Sequence, residues 1–179
     1  EKLLNSVSFT PVPMIAGGQT YSTVRIGDQI WTAENMRHDA VAGNTYTYIN
    51  DSAADVVTYG KLYDWAAAME DSITAGAQGI CGTGWHVPSD NDWTVLTDHL
   101  GENPSPKLKV NGSSGFEAKL AGHGERGVFY ERGSYTYWWS STTESEAYVH
   151  HRYLSDSQTS VFTDSEVKDI AFSVRCLKD

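Results

Sequence analysis

The chain has 179 residues, 40% of them hydrophobic, which suffices for one domain with a real core. A formal net charge of −10 and a pI near 4.9, with Lys and Arg scattered, leave no basic stripe to neutralise phosphates, so nucleic acid is not an expected partner. No apolar run approaches the roughly 20 residues that span a bilayer, so no transmembrane segment is expected; the opening "EKLLNSVSFTPVPMIAGGQTYSTV" lacks the regions of a signal peptide and reads as a mature or trimmed chain.

Six Trp and ten Tyr beside sixteen Gly describe a loop-rich fold that fills the space between turns with large flat rings. Residues 1–18, with Pro11 and Pro13 flanking Val12 and a Gly17-Gly18 pair, read as an extended lead-in, and 19–179 as a single domain. Val24, Ile26, Ile30 and Trp31 around Gly27-Asp28 give a hairpin pattern. From Tyr59, "YGKLYDWAAAMEDSI" sets Leu62, Trp65, Ala66 and Met69 at helical spacing. In "GWHVPSDNDWTVLTDHLGENP", Ser89 is a natural N-cap with Asp90 and Asp92 in the first turn. Trp93, Leu96 and Leu100 form its stripe, and Gly101 with Pro104 stops it.

After Pro106 short strands and turns dominate. In "AFSVRCL", Phe172, Val174 and Cys176 alternate with Ser173, Arg175 and Leu177. Two helices before a strand-rich second half argue for α+β with a small antiparallel sheet. Cys81 and Cys176 are too far apart for a CxxC redox or zinc motif. They are either two buried free thiols or one disulfide; the latter closes roughly 95 residues, contributes about 4 kcal/mol and places the chain outside the cytosol.

The blocks "VRIGDQIWTAENM", "YGKLYDWAAAM", "CGTGWHVPSDNDW", "GFEAKLAG", "YWWSST" and "FSVRC" resemble, in order, the Fibrobacter succinogenes major paralogous domain. The resemblance implies a C-type lectin-like fold, with two helices around a small twisted antiparallel sheet and long loops. It also implies that "CGTGWH" and "SVRC" come together, which favours a Cys81–Cys176 disulfide and an extracellular or cell-surface location. "VPSDNDW" echoes the helix start of formylglycine-generating oxidases of the same fold class, but their closely spaced redox cysteines are missing. The sugar-binding tripeptides of calcium lectins are missing too.

Chemical candidates are weak on the residues themselves. Adjacent His150 and His151 point to opposite faces of a strand, so a metal would need others among His86, His99, His123, Asp156 and Asp164. His86 is expected to bond backbone in the turn before the helix. Ser140, His150 and Asp156 lack a nucleophile elbow, and Glu144 with Glu146 read as a solvated strand end. Neither a catalytic residue, a metal site nor a cofactor is expected.

In "YVHHRYLSDSQTSVF" and the Ala147 just before it, the family pattern assigns Ala147, Arg152, Leu154 and Val161 to the framework. Between and after them stand Tyr148, His150, His151, Tyr153, Ser155, Asp156, Ser157, Ser160, Phe162, Thr163, Asp164 and Ser165. Rings with small polar groups have the composition of a recognition surface. The expected function is therefore non-enzymatic binding of a protein or glycan. The resemblance extends this: related lectin-like domains serve as variable proteins of diversity-generating retroelements, and all these residue types are reachable by adenine mutagenesis of an Asn-type codon. The alternatives are a structural or adhesive envelope domain without a dedicated ligand, or a carbohydrate-binding lectin.

Overall fold

The computed structural model describes residues 11–48 and 50–179. In chain order the elements are β1 (Met14–Ala16), β2 (Gln19–Tyr21), β3 (Thr23–Ile26), β4 (Gln29–Thr32), β5 (Thr45–Tyr46), α1 (Ala53–Tyr59), β6 (Leu62–Tyr63), α2 (Trp65–Met69), β7 (Trp85–His86), α3 (Asp90–Leu100), α4 (Pro104–Leu108), β8 (His123–Glu125), β9 (Val128–Tyr130), β10 (Tyr135–Thr143), β11 (Tyr148–Ser155), β12 (Phe162–Val167) and β13 (Leu177–Lys178). The architecture is α+β, with more strand than helix. An antiparallel sheet ordered β10-β11-β12 and a second ordered β3-β4-β13-β7 are accompanied by three separate two-stranded ladders, β1-β2, β5-β6 and β8-β9.

Local sequence explains several elements directly. The β3–β4 hairpin turns at Gly27-Asp28 as expected, and the glycine takes the left-handed φ of 60° such a turn needs. Part of the expected lead-in is also a hairpin: β1 pairs with β2 across Gly17-Gly18, and Met14 is buried in the core. Residues 1–10 lie outside the described residues. In α3, Ser89 accepts from the Asp92 backbone N–H while the Asp92 carboxylate accepts from the Ser89 N–H, a reciprocal capping box.

The other expected helix is shorter than its apolar spacing suggests. Asp64 caps α2 by accepting from the Ala67 N–H at 2.8 Å, so Leu62 and Tyr63 fall outside the helix and pair with β5. Ala67 and Ala68, rather than Ala66, are its buried alanines. Two helices are expected from sequence and four are present among the described residues. The additional α1 buries no residue and so has no apolar stripe, while α4 is a single turn begun by Pro104.

Two apolar clusters meet at the C-terminal segment 170–177, every residue of which is buried. Phe172, Val174 and Cys176 join a cluster with Met36, Trp65 and Trp139; Leu177 faces the other, around Trp31, Trp93, Phe116 and Trp138. In the second cluster, Trp31–Trp93 and Trp93–Trp138 ring centroids lie 4.7 and 5.7 Å apart. Cys81 and Cys176 form a disulfide with Cα atoms 5.8 Å apart. It ties the C-terminal segment to the loop before β7.

Candidate functional site

β11 is the central strand of its sheet, and alternation along it decides what each side chain reaches. One face is framework: Arg152 is buried and bonds the Asp90 carboxylate and the Asp90 carbonyl (3.1 Å), while Leu154 enters the second core cluster. The other face carries His151 and Tyr153. Their partners on β12 are Asp164 and Phe162, so these four side chains stand together. On β10, Tyr137 is the cross-strand partner of Tyr153.

The result is a ladder of rings across three strands. Tyr137 and Tyr153 stack at 5.6 Å and Tyr153 and Phe162 at 5.1 Å; Tyr135 extends the row beside Tyr137 at 6.1 Å. Phe172, from the C-terminal segment, stacks on Tyr137 at 5.0 Å and meets His151 at 4.8 Å. Around this ladder lies an open cleft of about 470 Å³, also lined by His123 and by the carboxyl groups of Glu125, Glu131, Asp164 and Glu166. No Lys or Arg lines it.

Polar chemistry in the cleft is shaped by burial. Tyr137 Oη donates to Glu131 at 2.5 Å; desolvation first, then this carboxylate, raise the phenol pKa. His123 stacks on Tyr130 at 5.3 Å and places Nδ1 3.3 Å from Glu131 Oε2. His151 is only 4% exposed, and its Nδ1 has no hydrogen-bond partner. Burial pushes its pKa down to about 4, with Asp164 opposing and Arg152, His150 and His123 adding to the shift, so the ring is neutral at pH 7.

This imidazole makes a pH prediction. Its folded pKa is depressed below the ordinary 6.5, so in acid the unfolded chain takes up the proton first. Stability is therefore complete above pH 6.5 and falls as pH drops toward 4, by about 3 kcal/mol from this group. Urea midpoints at pH 7 and pH 4 should show that loss in the wild type and lack that increment in His151→Gln. Equal losses in the two proteins would refute the assignment. His86 works in the opposite direction: hydrogen bonding to Asp92, then to Asp179, raises its pKa against desolvation, and its contribution is lost as pH rises.

The sequence candidates divide accordingly. His151, Tyr153, Phe162 and Asp164 converge on the cleft. Tyr148, His150, Thr163 and Ser165 belong to the opposite face, where His150 Nδ1 and Ser165 Oγ lie 3.0 Å apart. Ser155 is buried at the end of β11, and Asp156, Ser157 and Ser160 are exposed in the connection to β12. Ala147, assigned to the framework, is exposed in the turn between β10 and β11, beyond the register shift at Trp139/Thr143, and so packs on no core. His86, expected to bond backbone, is instead held between the carboxylates of Asp92 (3.3 Å) and Asp179 (2.7 Å).

The imagined Ser140, His150 and Asp156 set is not assembled. Ser140 is fully buried and accepts from the Thr142 N–H, His150 faces Ser165, and Asp156 is exposed. Among the described residues no three His, Cys, Asp or Glu side chains form a metal-holding group. Sequence reasoning missed Tyr135, Tyr137, His123 and Phe172; the period-two "YTYW", with Thr136 and Trp138 turned into the core, was the available signal for the first two.

Fold and site together define an α+β domain carrying an acidic aromatic cleft on its three-stranded sheet. The family model described as the Fibrobacter succinogenes major domain matches residues 24–178, and the chain belongs to that family. No curated protein and no solved structure gives a significant match.

Proposed function

We propose that the chain is a non-enzymatic recognition domain that binds a protein or glycan ligand through the cleft face of β10, β11 and β12. The observation that carries this reading is the Tyr137–Tyr153–Phe162 ladder, set on residues that alternate with the buried framework of Arg152 and Leu154. Such a surface offers rigid aromatic area and polar groups while leaving the scaffold fixed. The pairing of β4 with the C-terminal β13 supports reading the fold as C-type lectin-like. The Cys81–Cys176 disulfide supports an extracellular or cell-surface location, and among the described residues no helix is long and apolar enough to cross a membrane.

Replacing Tyr153, Phe162 and Asp164 together by Ser is expected to leave a cooperative melt within a few degrees of wild type, since Tyr153 and Phe162 are half-buried and Asp164 exposed. A glycan array and a panel of purified cell-surface proteins, probed with both proteins, should yield a ligand that only the wild type holds. Identical profiles would favour a structural or adhesive envelope domain. Diversification predicts a neighbouring reverse transcriptase gene and a near-copy of the segment coding for Trp138 to Asp179 that differs at adenines.

An enzyme is the second reading, because the same cleft gathers His123, His151 and four carboxyl groups. Chromogenic glycosides and esters discriminate. The recognition reading expects no turnover above that of His151→Gln.

A further inference from the structure

The cleft contrasts with several other aromatic sites of the molecule. At these sites a ring meets one of the chain's own cations: Arg132 stands 4.0 Å from the Tyr48 ring centroid, Arg37 4.4 Å from Tyr21 and Lys168 4.8 Å from Trp65. The cleft gathers more rings than any of these places, yet is lined by four carboxyl groups and no Lys or Arg. Carboxylates beside apolar walls in a concavity focus a negative potential. Its polar groups are four carboxyl groups, tyrosine hydroxyls, the Gln158 amide and two imidazoles, so carboxyl oxygens are its strongest hydrogen-bond acceptors, and Nδ1 of buried His151 has no partner among the described residues. Because His151 lines the cleft, its unsatisfied Nδ1 is a polar group that a ligand atom reaching it would satisfy.

We propose that this cleft receives a positively charged group rich in N–H donors, a guanidinium or alkylammonium, carried by the ligand. Ring π-faces and carboxylates attract the charge, and the acceptors take its N–H groups. A planar guanidinium also matches the flat walls of the ring ladder. An anionic ligand would face four carboxyl groups with no counter-charge. The inference rests on the recognition reading of the same cleft and adds the chemical class of the ligand group.

Ethylguanidinium chloride titrated into the whole protein at constant ionic strength tests this, followed by NMR of the Tyr and Phe ring protons. Neutral ethylurea is the isosteric control, and a Gly-Ser peptide bearing one Arg distinguishes a protein-borne cation from a free one. Saturable shifts are expected with ethylguanidinium and with the peptide, tighter for the peptide if the group belongs to a protein ligand. Ethylurea should give none. Glu125→Gln with Asp164→Asn, both exposed side chains, should weaken binding about 5-fold or more with the near-UV spectrum unchanged. Equal binding of ethylurea, or unchanged affinity in that variant, would overturn the charge assignment while leaving a binding cleft. Absence of saturable shifts with either cationic probe would overturn it too, and the recognition reading would then stand or fall on the array screen alone.

Discussion

Arg175→Leu is expected to cost about 5 kcal/mol, because it leaves buried carbonyl groups without their donor. The guanidinium is fully buried; Glu34 and Glu117 act on it electrostatically, and its direct partners are an amide oxygen and backbone carbonyls. Its Nε donates to Asn35 Oδ1 at 2.6 Å, Nη1 to the carbonyls of Thr32 (2.8 Å) and Phe116 (2.7 Å), and Nη2 to that of Glu117 (3.2 Å). The Phe116 ring lies 4.3 Å beneath it. These bonds tie the C-terminal segment to β4 and to the loop after α4. The same Asn35 oxygen accepts from Trp138 Nε1 at 3.1 Å, and its amide donates to the Tyr59 carbonyl at 2.8 Å, so α1 and β10 hang on one network. A leucine matches the lost volume poorly and donates nothing.

Arg175→Lys separates charge from geometry. One ammonium on a flexible stem keeps the charge but cannot reach acceptors arranged around a planar fork, so about half of the loss is expected to remain. Urea unfolding with the slope held constant measures both variants. A lysine variant as stable as wild type would show that charge alone matters. A leucine variant within 1 kcal/mol of wild type would show that the carbonyls find other partners. Since domains of this kind are stable by roughly 5–15 kcal/mol, the expected loss is from about a third to the whole of it.

What sequence reveals and what it hides both follow from the range of the interactions. The α3 cap, the Gly27-Asp28 hairpin and the alternation of Phe172, Val174 and Cys176 are local, and each was legible within a few residues. The capping box of α1 was equally local: Ser52 and Asp55 bond reciprocally. It passed unnoticed because an exposed helix carries no apolar stripe. The cleft is different in kind. Tyr137, Tyr153, Phe162 and Phe172 are brought together by the register of three strands and by the Tyr63–Phe172 bridge, and no sequence spacing encodes that register. Read as one surface, the residues from Tyr148 to Ser165 span two faces of a sheet, and only pairing with β10 and β12 selects the face that forms a concavity.

The disulfide gives the second large effect, and its consequence reaches the cleft. Closing 95 residues of chain, Cys81–Cys176 is expected to contribute about 4 kcal/mol through the unfolded state. Both cysteines are buried in the cluster with Met14, Tyr21 and Met36, so Cys81→Ala with Cys176→Ala also leaves a small void, whereas Ser at both positions adds buried hydroxyls and costs more. The loss will not be felt evenly. The C-terminal segment is held at Cys176 by the Thr32 N–H, at Val174 by the Met36 N–H, and at Phe172 by paired bonds with Tyr63. The cross-link anchors one end of that series and Phe172 forms the cleft wall at the other. Amide exchange in the double-alanine protein should therefore rise first from residue 171 to residue 177 and at Tyr63, and later in α3, whose capping box and Trp93 packing lie in the other cluster. The aromatic signals of Tyr137 and His151 should broaden along with Phe172, before global unfolding. Uniform acceleration across the chain would instead mean that the bond acts on the unfolded state alone and that the cleft is held by its sheet.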